Sequence, residues 1–324
     1  MVDIHSKYLG LDLRNPIIVG GSHYSGDVES LLRMEQAGVG AVILKPMFEE
    51  EFIYDIKQNT HEVAHVNNYG ESYAYVSSLG RDGAVPAYLD LIAKAKETLS
   101  IPVIACIDCF SYESWITYAK QLEEAGCDAV QLNVSILPLE TSLSADDVER
   151  SFNDIIRTMK RITSLPIDVK VSPYFTDLAK FMQQLSWMGI QGISIFNRPL
   201  LCDVDVENIQ LIQSDATKGI DLYDTLMWLS ILKNKLRCDL SAIMPTLSSD
   251  LLVKMLLMGA GSVQVSLGRE DFSLEGISQM QQGLQAWMEH NGFSSLKDFV
   301  GRLALPVNEK SYMVMRTMMM KDFI

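Results

Sequence analysis

Residues Leu122–Ser135 read LEEAGCDAVQLNVS. The stretch ends a helical pattern at Gly126 and passes directly into Ala129–Val134, an apolar run with Asn133 and Ser135 at its close. Glycine is the usual residue where a helix ends in a left-handed turn. A short run without strict polar alternation suits a parallel strand covered on both faces. The same phrase, helix end then glycine then strand, recurs at residues 35–40 and 257–261. Working outward, strand-type runs occupy Pro16–Gly20, Ala41–Lys45, Pro102–Ile107, Ala129–Val134, Ile167–Val171, Gly192–Phe196, Asp239–Met244 and Ser262–Ser266.

Helical spacing fills the intervals. Asp27 caps a helix over Leu31, Leu32 and Glu35. Glu113–Ala125 ends at Gly126, Thr176–Met188 at Gly189, and a helix capped by Ser248 or Ser249 at Gly259. Ser144, three residues before Asp147, opens a helix through Lys160 in the manner of a capping box. Eight βα units predict an α/β protein, a (β/α)8 TIM barrel of one domain. An open doubly wound sheet is the alternative, but no G-x-G-x-x-G follows the first run. The barrel is expected over residues 1–305. The Met-rich tail, 306–324, with Met313, Met315, Met318, Met319 and Met320, is expected to pack on the barrel or on a partner subunit. The interval Pro46–Pro86 is long for a βα loop and suits a functional lid.

The chain has 324 residues and a formal charge of −14. That balance disfavours nucleic acid and anionic membranes as partners. No secretory signal pattern and no apolar run of about 20 residues is visible, and five cysteines suit reduced thiols. A cytoplasmic protein is expected. Cys106 and Cys109 form a C-x-x-C without a second pair, which reads as buried thiols; no metal site is expected.

Barrel enzymes work at the C-terminal ends of their strands. The polar residues there are Gly21 and Ser22 after the first run, Lys45 after the second, Asn133 and Ser135 after the fourth, Lys170 in the fifth and Asn197 with Arg198 after the sixth. Thr246 and Ser248 follow the seventh, and Ser266 and Gly268 close the eighth. Amines and amides at buried strand ends are costly unless something pairs them. An asparagine both donates and accepts, which suits the edge of a planar heterocycle. Together they predict a small-molecule site.

YLGLDLRNPIIVGGS, LEEAGCDAVQLNVS, LPIDVKVSP, GISIFNRP and MLLMGAGSVQVSLG occur in this order between Tyr8 and Gly268. In order and spacing they resemble the dihydroorotate dehydrogenase family, and especially its divergent dihydroorotate dehydrogenase-like branch. The resemblance implies an FMN oxidoreductase of pyrimidine biosynthesis, oxidising a CH–CH bond of a dihydropyrimidine-like substrate. It implies that Gly21, Ser22, Lys45, Asn133 and Lys170 meet the flavin and that Ser266 and Gly268 flank its phosphate; Thr246, Ser248 and the start of the following helix are expected to replace in part the donors that the changed phosphate turn has lost. It further implies that Asn133 and Asn197 hold substrate, that the acceptor is soluble, and that a homodimer is compatible with the chain.

Two departures stand out. The family's base position falls on Ile136, which cannot accept a proton, so Ser135 is the nearest hydroxyl for the catalytic role, with Lys45 beside it. The family's Gly-Gly phosphate turn is replaced by Met244-Pro245-Thr246-Leu247-Ser248-Ser249, in which Pro245 lacks an N–H. Two other readings follow: a non-catalytic barrel that keeps the fold, and a Schiff-base lyase using Lys170.

Overall fold

The computed structural model describes residues 2–60, 83–111, 115–136, 141–197, 202–213, 222–266, 274–306 and 310–321. The eight apolar runs become eight parallel strands: β1 (Ile17–Gly20), β2 (Ala41–Ile43), β3 (Val103–Cys109), β4 (Ala129–Val134), β5 (Ile167–Val171), β6 (Gly192–Ile195), β7 (Asp239–Met244) and β8 (Ser262–Ser266). Each pairs with its neighbour in sequence, and β8 returns to pair with β1. The sheet is therefore a closed barrel without an edge, as the repeated βα phrase predicts.

A helix follows each strand. In order they are Val28–Gln36, Ala84–Thr98, Ala119–Glu124, Ala145–Ile162, Leu178–Trp187, Leu222–Leu232, Ser249–Met258 and Leu274–His290. Their burial follows the helical period. Val148, Phe152, Ile155, Ile156 and Met159 line one face of Ala145–Ile162, and Ser144 and Asp147 form the expected capping box at its start. Outward-facing strand residues meet these stripes in one continuous core. Gly126 takes φ 92°, the left-handed conformation that the opening stretch predicts.

The structure differs from the sequence reading in three places. β3 runs two residues beyond Ile107, to Cys109. The helix expected over Glu113–Ala125 is a 3₁₀ turn, Ile116–Tyr118, followed by Ala119–Glu124, with residues 112–114 outside the described set. A hairpin of Cys202–Asp205 with Gln210–Gln213 was not foreseen; it exposes Val206 and Ile209 almost fully. Of the expected lid, the structure describes a short strand, Met47–Phe48, beside β3 and a helix, Glu49–Thr60; residues 61–82 lie outside the described set.

The two ends of the barrel are built differently. At the N-terminal end a hairpin of Ser6–Tyr8 with Leu11–Leu13 sends Tyr8, Leu9 and Leu13 against the inward residues Ile18, Ala41, Ile43, Ile104, Cys106 and Ala129. Leu9 N–H donates to Asp239 Oδ2 at 2.8 Å, which fixes the plug to the start of β7. Above the plug sits a buried polar layer. Gln131 Nε2 donates to Asp168 Oδ2 at 2.6 Å, Ser194 Oγ donates to the same oxygen at 2.6 Å, and Gln264 Nε2 donates to Ser194 Oγ at 2.6 Å. Burial pushes the Asp168 carboxyl upward despite these donors. Among the described residues no helix is long and apolar enough to cross a membrane.

A Gly126→Ala variant tests the βα phrase. Lys96 Cγ, the nearest atom outside the chain neighbours, is an unhindered 3.9 Å away, so the cost is backbone strain alone. A loss of about 1–2 kcal/mol is expected, which calorimetry should read as a drop in Tm of about 1–3 °C with folding intact.

Candidate active site

Alternation along a strand points every second residue into the barrel. In β3 those are Ile104, Cys106 and Asp108; in β4, Ala129, Gln131 and Asn133; in β5, Asp168 and Lys170. The register aligns the last of each. Asp108 is opposite Asn133, and Asn133 is opposite Lys170. Three adjacent strands thus bring a carboxylate, an amide and an ammonium to the C-terminal mouth, with strands about 4.8 Å apart. Gly20 at the end of β1 is paired with Ser266 at the end of β8, and Lys45 follows β2 on the same side.

The hydrogen bonds across this layer are incomplete. Asn133 Nδ2 donates to Asp108 Oδ2, and the Ser135 hydroxyl favours the charged form of the Asp108 carboxyl. Asn133 is 9% exposed, yet its Oδ1 is buried without a partner among the described residues. Ser22 Oγ at the end of β1 is in the same position. Leaving such an acceptor unpaired costs about 1–3 kcal/mol, so a ligand that donates to it is favoured by a similar amount. Among the described residues neither Lys45 nor Lys170 has an ion-pair partner within 4.0 Å.

Burial dominates the electrostatics. The Asp108 carboxyl is pushed up to about 6 by desolvation and by Glu50, against the opposing pull of the Ser135 and Asn133 donors and of the Lys170 charge. Glu49, at the first turn of Glu49–Thr60, is buried and accepts from the N–H groups of Phe110 and Ser111, both at 2.8 Å, and from the Ser111 hydroxyl. It anchors the loop after β3, and its carboxyl is also raised by burial.

The other predicted residues fall as follows. Gly21 follows β1 where a Cβ would lie 2.7 Å from the Leu44 carbonyl oxygen, so close approach of β2 alone requires glycine there. Asn197 is 8% exposed, and its N–H donates to Val171 O at 2.9 Å. Thr246 is exposed, and Ser248 caps Ser249–Met258 by accepting from Leu251 N–H at 3.3 Å. Asp250 lies in the first turn of that helix. Ser266 is described in its backbone only; Arg198 and Gly268 lie outside the described residues. Cys106 and Cys109, an odd number of residues apart on one strand, face opposite sides of the sheet; both are free and buried thiols, and burial raises Cys106 to about 12.

Asp108 is the residue that the sequence reading missed. Ending the strand at Ile107 left it out, and the Cys106–Cys109 motif drew the eye from it. The signal was the alternation itself, since Asp108 is two residues beyond the inward Cys106.

No protein-family model matches the chain. Curated proteins do match, along nearly its whole length. The catalytic subunit of dihydroorotate dehydrogenase B (NAD(+)) of Thermoplasma acidophilum is 22% identical, covering 93% of this chain and 99% of that one. The dihydroorotate dehydrogenase A (fumarate) of Lactobacillus delbrueckii subsp. bulgaricus is 23% identical over 94% and 99%. The B-type catalytic subunit of Pyrococcus furiosus is 24% identical over 93% and 98%. Fold and strand-end residues define a barrel of the kind that works at its C-terminal mouth. Along nearly its whole length the chain is similar to dihydroorotate dehydrogenases, the family that its motif order resembles.

Asp108 also gives a stability signature. A carboxyl raised by burial binds its proton more tightly in the folded state. Its contribution is full below the unfolded value of 3.8 and is lost as pH rises through about 6. Asp108→Asn removes the burial of a charge, so its Tm should gain on the wild type at pH 8 relative to pH 4. Equal differences at both pH values in thermal unfolding would show that Asp108 is not so perturbed.

Proposed function

We propose that the chain is an FMN-dependent oxidoreductase of the dihydroorotate dehydrogenase type, which oxidises a CH–CH bond of a dihydropyrimidine-like small molecule in pyrimidine biosynthesis. One observation carries the reading: in a chain similar to dihydroorotate dehydrogenases over nearly all its length, the barrel mouth holds Asn133 with an unpaired buried acceptor beside Lys170 and Asp108.

The donor set fits a flavin ring. Asn133 Oδ1 can accept from a heterocycle edge, Ser22 Oγ can accept from or donate to one, and Lys170 and Lys45 favour electron-rich carbonyls. Bound FMN would take up the electron pair leaving the substrate. Asn133 and Asn197 would orient the substrate. At the phosphate end, the Ser248 hydroxyl proton, Thr246 and the first amides of Ser249–Met258 would replace the family's glycine turn. Asp250 in that first turn opposes an anion, so the ring end carries more of the affinity than the phosphate end.

The same reading takes the protein as cytoplasmic and dimeric, with a soluble electron acceptor such as fumarate or NAD. Free buried thiols support the first. For the second, Met313, Met318 and Met320 are exposed on the tail helix Lys310–Lys321, as are Val206 and Ile209 on the hairpin. Light scattering at micromolar concentration should give twice the chain mass of 36.3 kDa; a monomer would remove the tail's role as a subunit contact.

Flavin uptake is the direct test. After incubation with FMN and desalting, the wild type should keep the near-ultraviolet and blue absorbance bands of bound flavin. Lys170→Met should raise the FMN Kd at least about tenfold, equivalent to about 1.4 kcal/mol. A protein that takes up no flavin from excess FMN would leave the non-catalytic barrel as the better reading.

A further inference from the structure

Resting on the reading above, we propose that Asp108, at the end of β3, is the proton acceptor of this site, taking over from the position where the chain carries Ile136, and that the Ser135 hydroxyl positions its carboxylate. Ile136 offers no proton acceptor, and its side chain packs against the helix-side core. A site that breaks a CH–CH unit needs a base elsewhere in the mouth. Asp108 is the inward residue at the top of β3, in register with Asn133. Asn133 Nδ2 donates to it, in the same layer as the unpaired Asn133 Oδ1, and the Ser135 hydroxyl beyond β4 favours its charged form. The three groups converge from two strands. A ligand that meets Asn133 Oδ1 therefore lies within one side chain of the Asp108 carboxylate.

The chemistry balances as follows. One substrate carbon gives its proton to the Asp108 carboxylate, which becomes a carboxylic acid. Bound FMN would accept the hydrogen of the neighbouring carbon with its electron pair, which would leave the carbon–carbon bond double, and a soluble two-electron acceptor would take that pair on. Asp108 then returns its proton to solvent. A general base is most effective when its pKa lies near the working pH, and burial has already moved this carboxyl to about 6. The charged and titratable groups that act on it are Glu50 from Glu49–Thr60, Lys170 from β5, Cys106 on its own face of β3 and Cys109 on the opposite face. Glu50 raises its proton affinity and Lys170 lowers it. The thiols, both raised by burial, stay neutral through this range.

The experiment uses FMN-loaded wild type, Asp108→Asn, Asp108→Glu and Ser135→Ala, mixed anaerobically with dihydroorotate while the blue flavin band is followed across pH. In the wild type, bleaching should quicken with pH through a midpoint near 6 and then level. Asp108→Asn should keep its flavin but bleach about 10²–10⁴-fold more slowly, with that limb gone. Asp108→Glu should regain part of the rate, and Ser135→Ala should keep the limb at a displaced pH. Asp108→Asn bleaching within tenfold of wild type, with the limb unchanged, overturns the proposal. A second readout needs no turnover. The infrared difference spectrum of the wild type between pH 5 and pH 7 should contain a carboxylic-acid band that Asp108→Asn lacks, and added orotate should shift its midpoint. A wild-type spectrum without that band, or one that orotate leaves unmoved, overturns the proposal even in protein that bleaches nothing. Wild type that retains no FMN instead overturns the oxidoreductase reading on which the proposal rests.

Discussion

The in-register pairing of β3, β4 and β5 is the constraint on which the rest depends. Side chains of a strand alternate with a strict period of two, so slipping one strand by one residue would turn its inward set outward. Because Asp108 pairs with Asn133 and Asn133 with Lys170, three chemically different groups share one layer and one face. The same register fixes the layer beneath, where Gln131 meets Asp168. Barrel closure from β8 to β1 leaves no slack for slippage, and the helix behind each strand holds the pairing by burying its apolar stripe.

The two polar layers are treated differently by the fold, and that difference gives direction to the molecule. Around Asp168, donors from Gln131, Ser194 and Gln264 converge, and Tyr8 reaches up from the N-terminal plug to Ser194 at 3.0 Å. One oxygen, Asp168 Oδ1, is left without a partner there, inside a closed and filled section. One layer higher, Asn133 Oδ1 has no partner among the described residues and lies opposite Lys170, which has no ion pair there; Ser22 Oγ beyond β1 is likewise without a described partner. Buried polar groups are costly when half satisfied. At the plugged end a network meets the cost except at Asp168 Oδ1; at the open end it is left for a ligand to offset.

Most of the architecture was legible because it rests on two periods, 3.6 and 2.0, and on glycine stops. All eight strands lie within or next to the apolar runs, and Ser144, Ser248 and Asp27 cap the helices expected of them. The site was legible only in part. Asp108 was missed because a strand end is a polar residue among apolar ones, and apolar content alone stops at Ile107. Gly21 has a packing reason in the Leu44 carbonyl that no one-dimensional reading can contain. The hairpin over Cys202–Gln213 does alternate, in Cys202–Glu207, but a search for runs apolar on both faces passes over an exposed strand of that kind. Ser248 illustrates a double use: its oxygen accepts from Leu251 as a helix cap while its proton stays available.

The central claim is that the layer of Lys45, Asp108, Asn133 and Lys170 receives a flavin at the barrel mouth. A crystal structure of the protein grown with FMN tests it most directly. The isoalloxazine should lie across the C-terminal ends of β1, β4 and β5, with a ring donor on Asn133 Oδ1 and Lys170 at a ring oxygen or nitrogen. Density for FMN elsewhere on the molecule, or an unchanged mouth in crystals saturated with FMN, would contradict it.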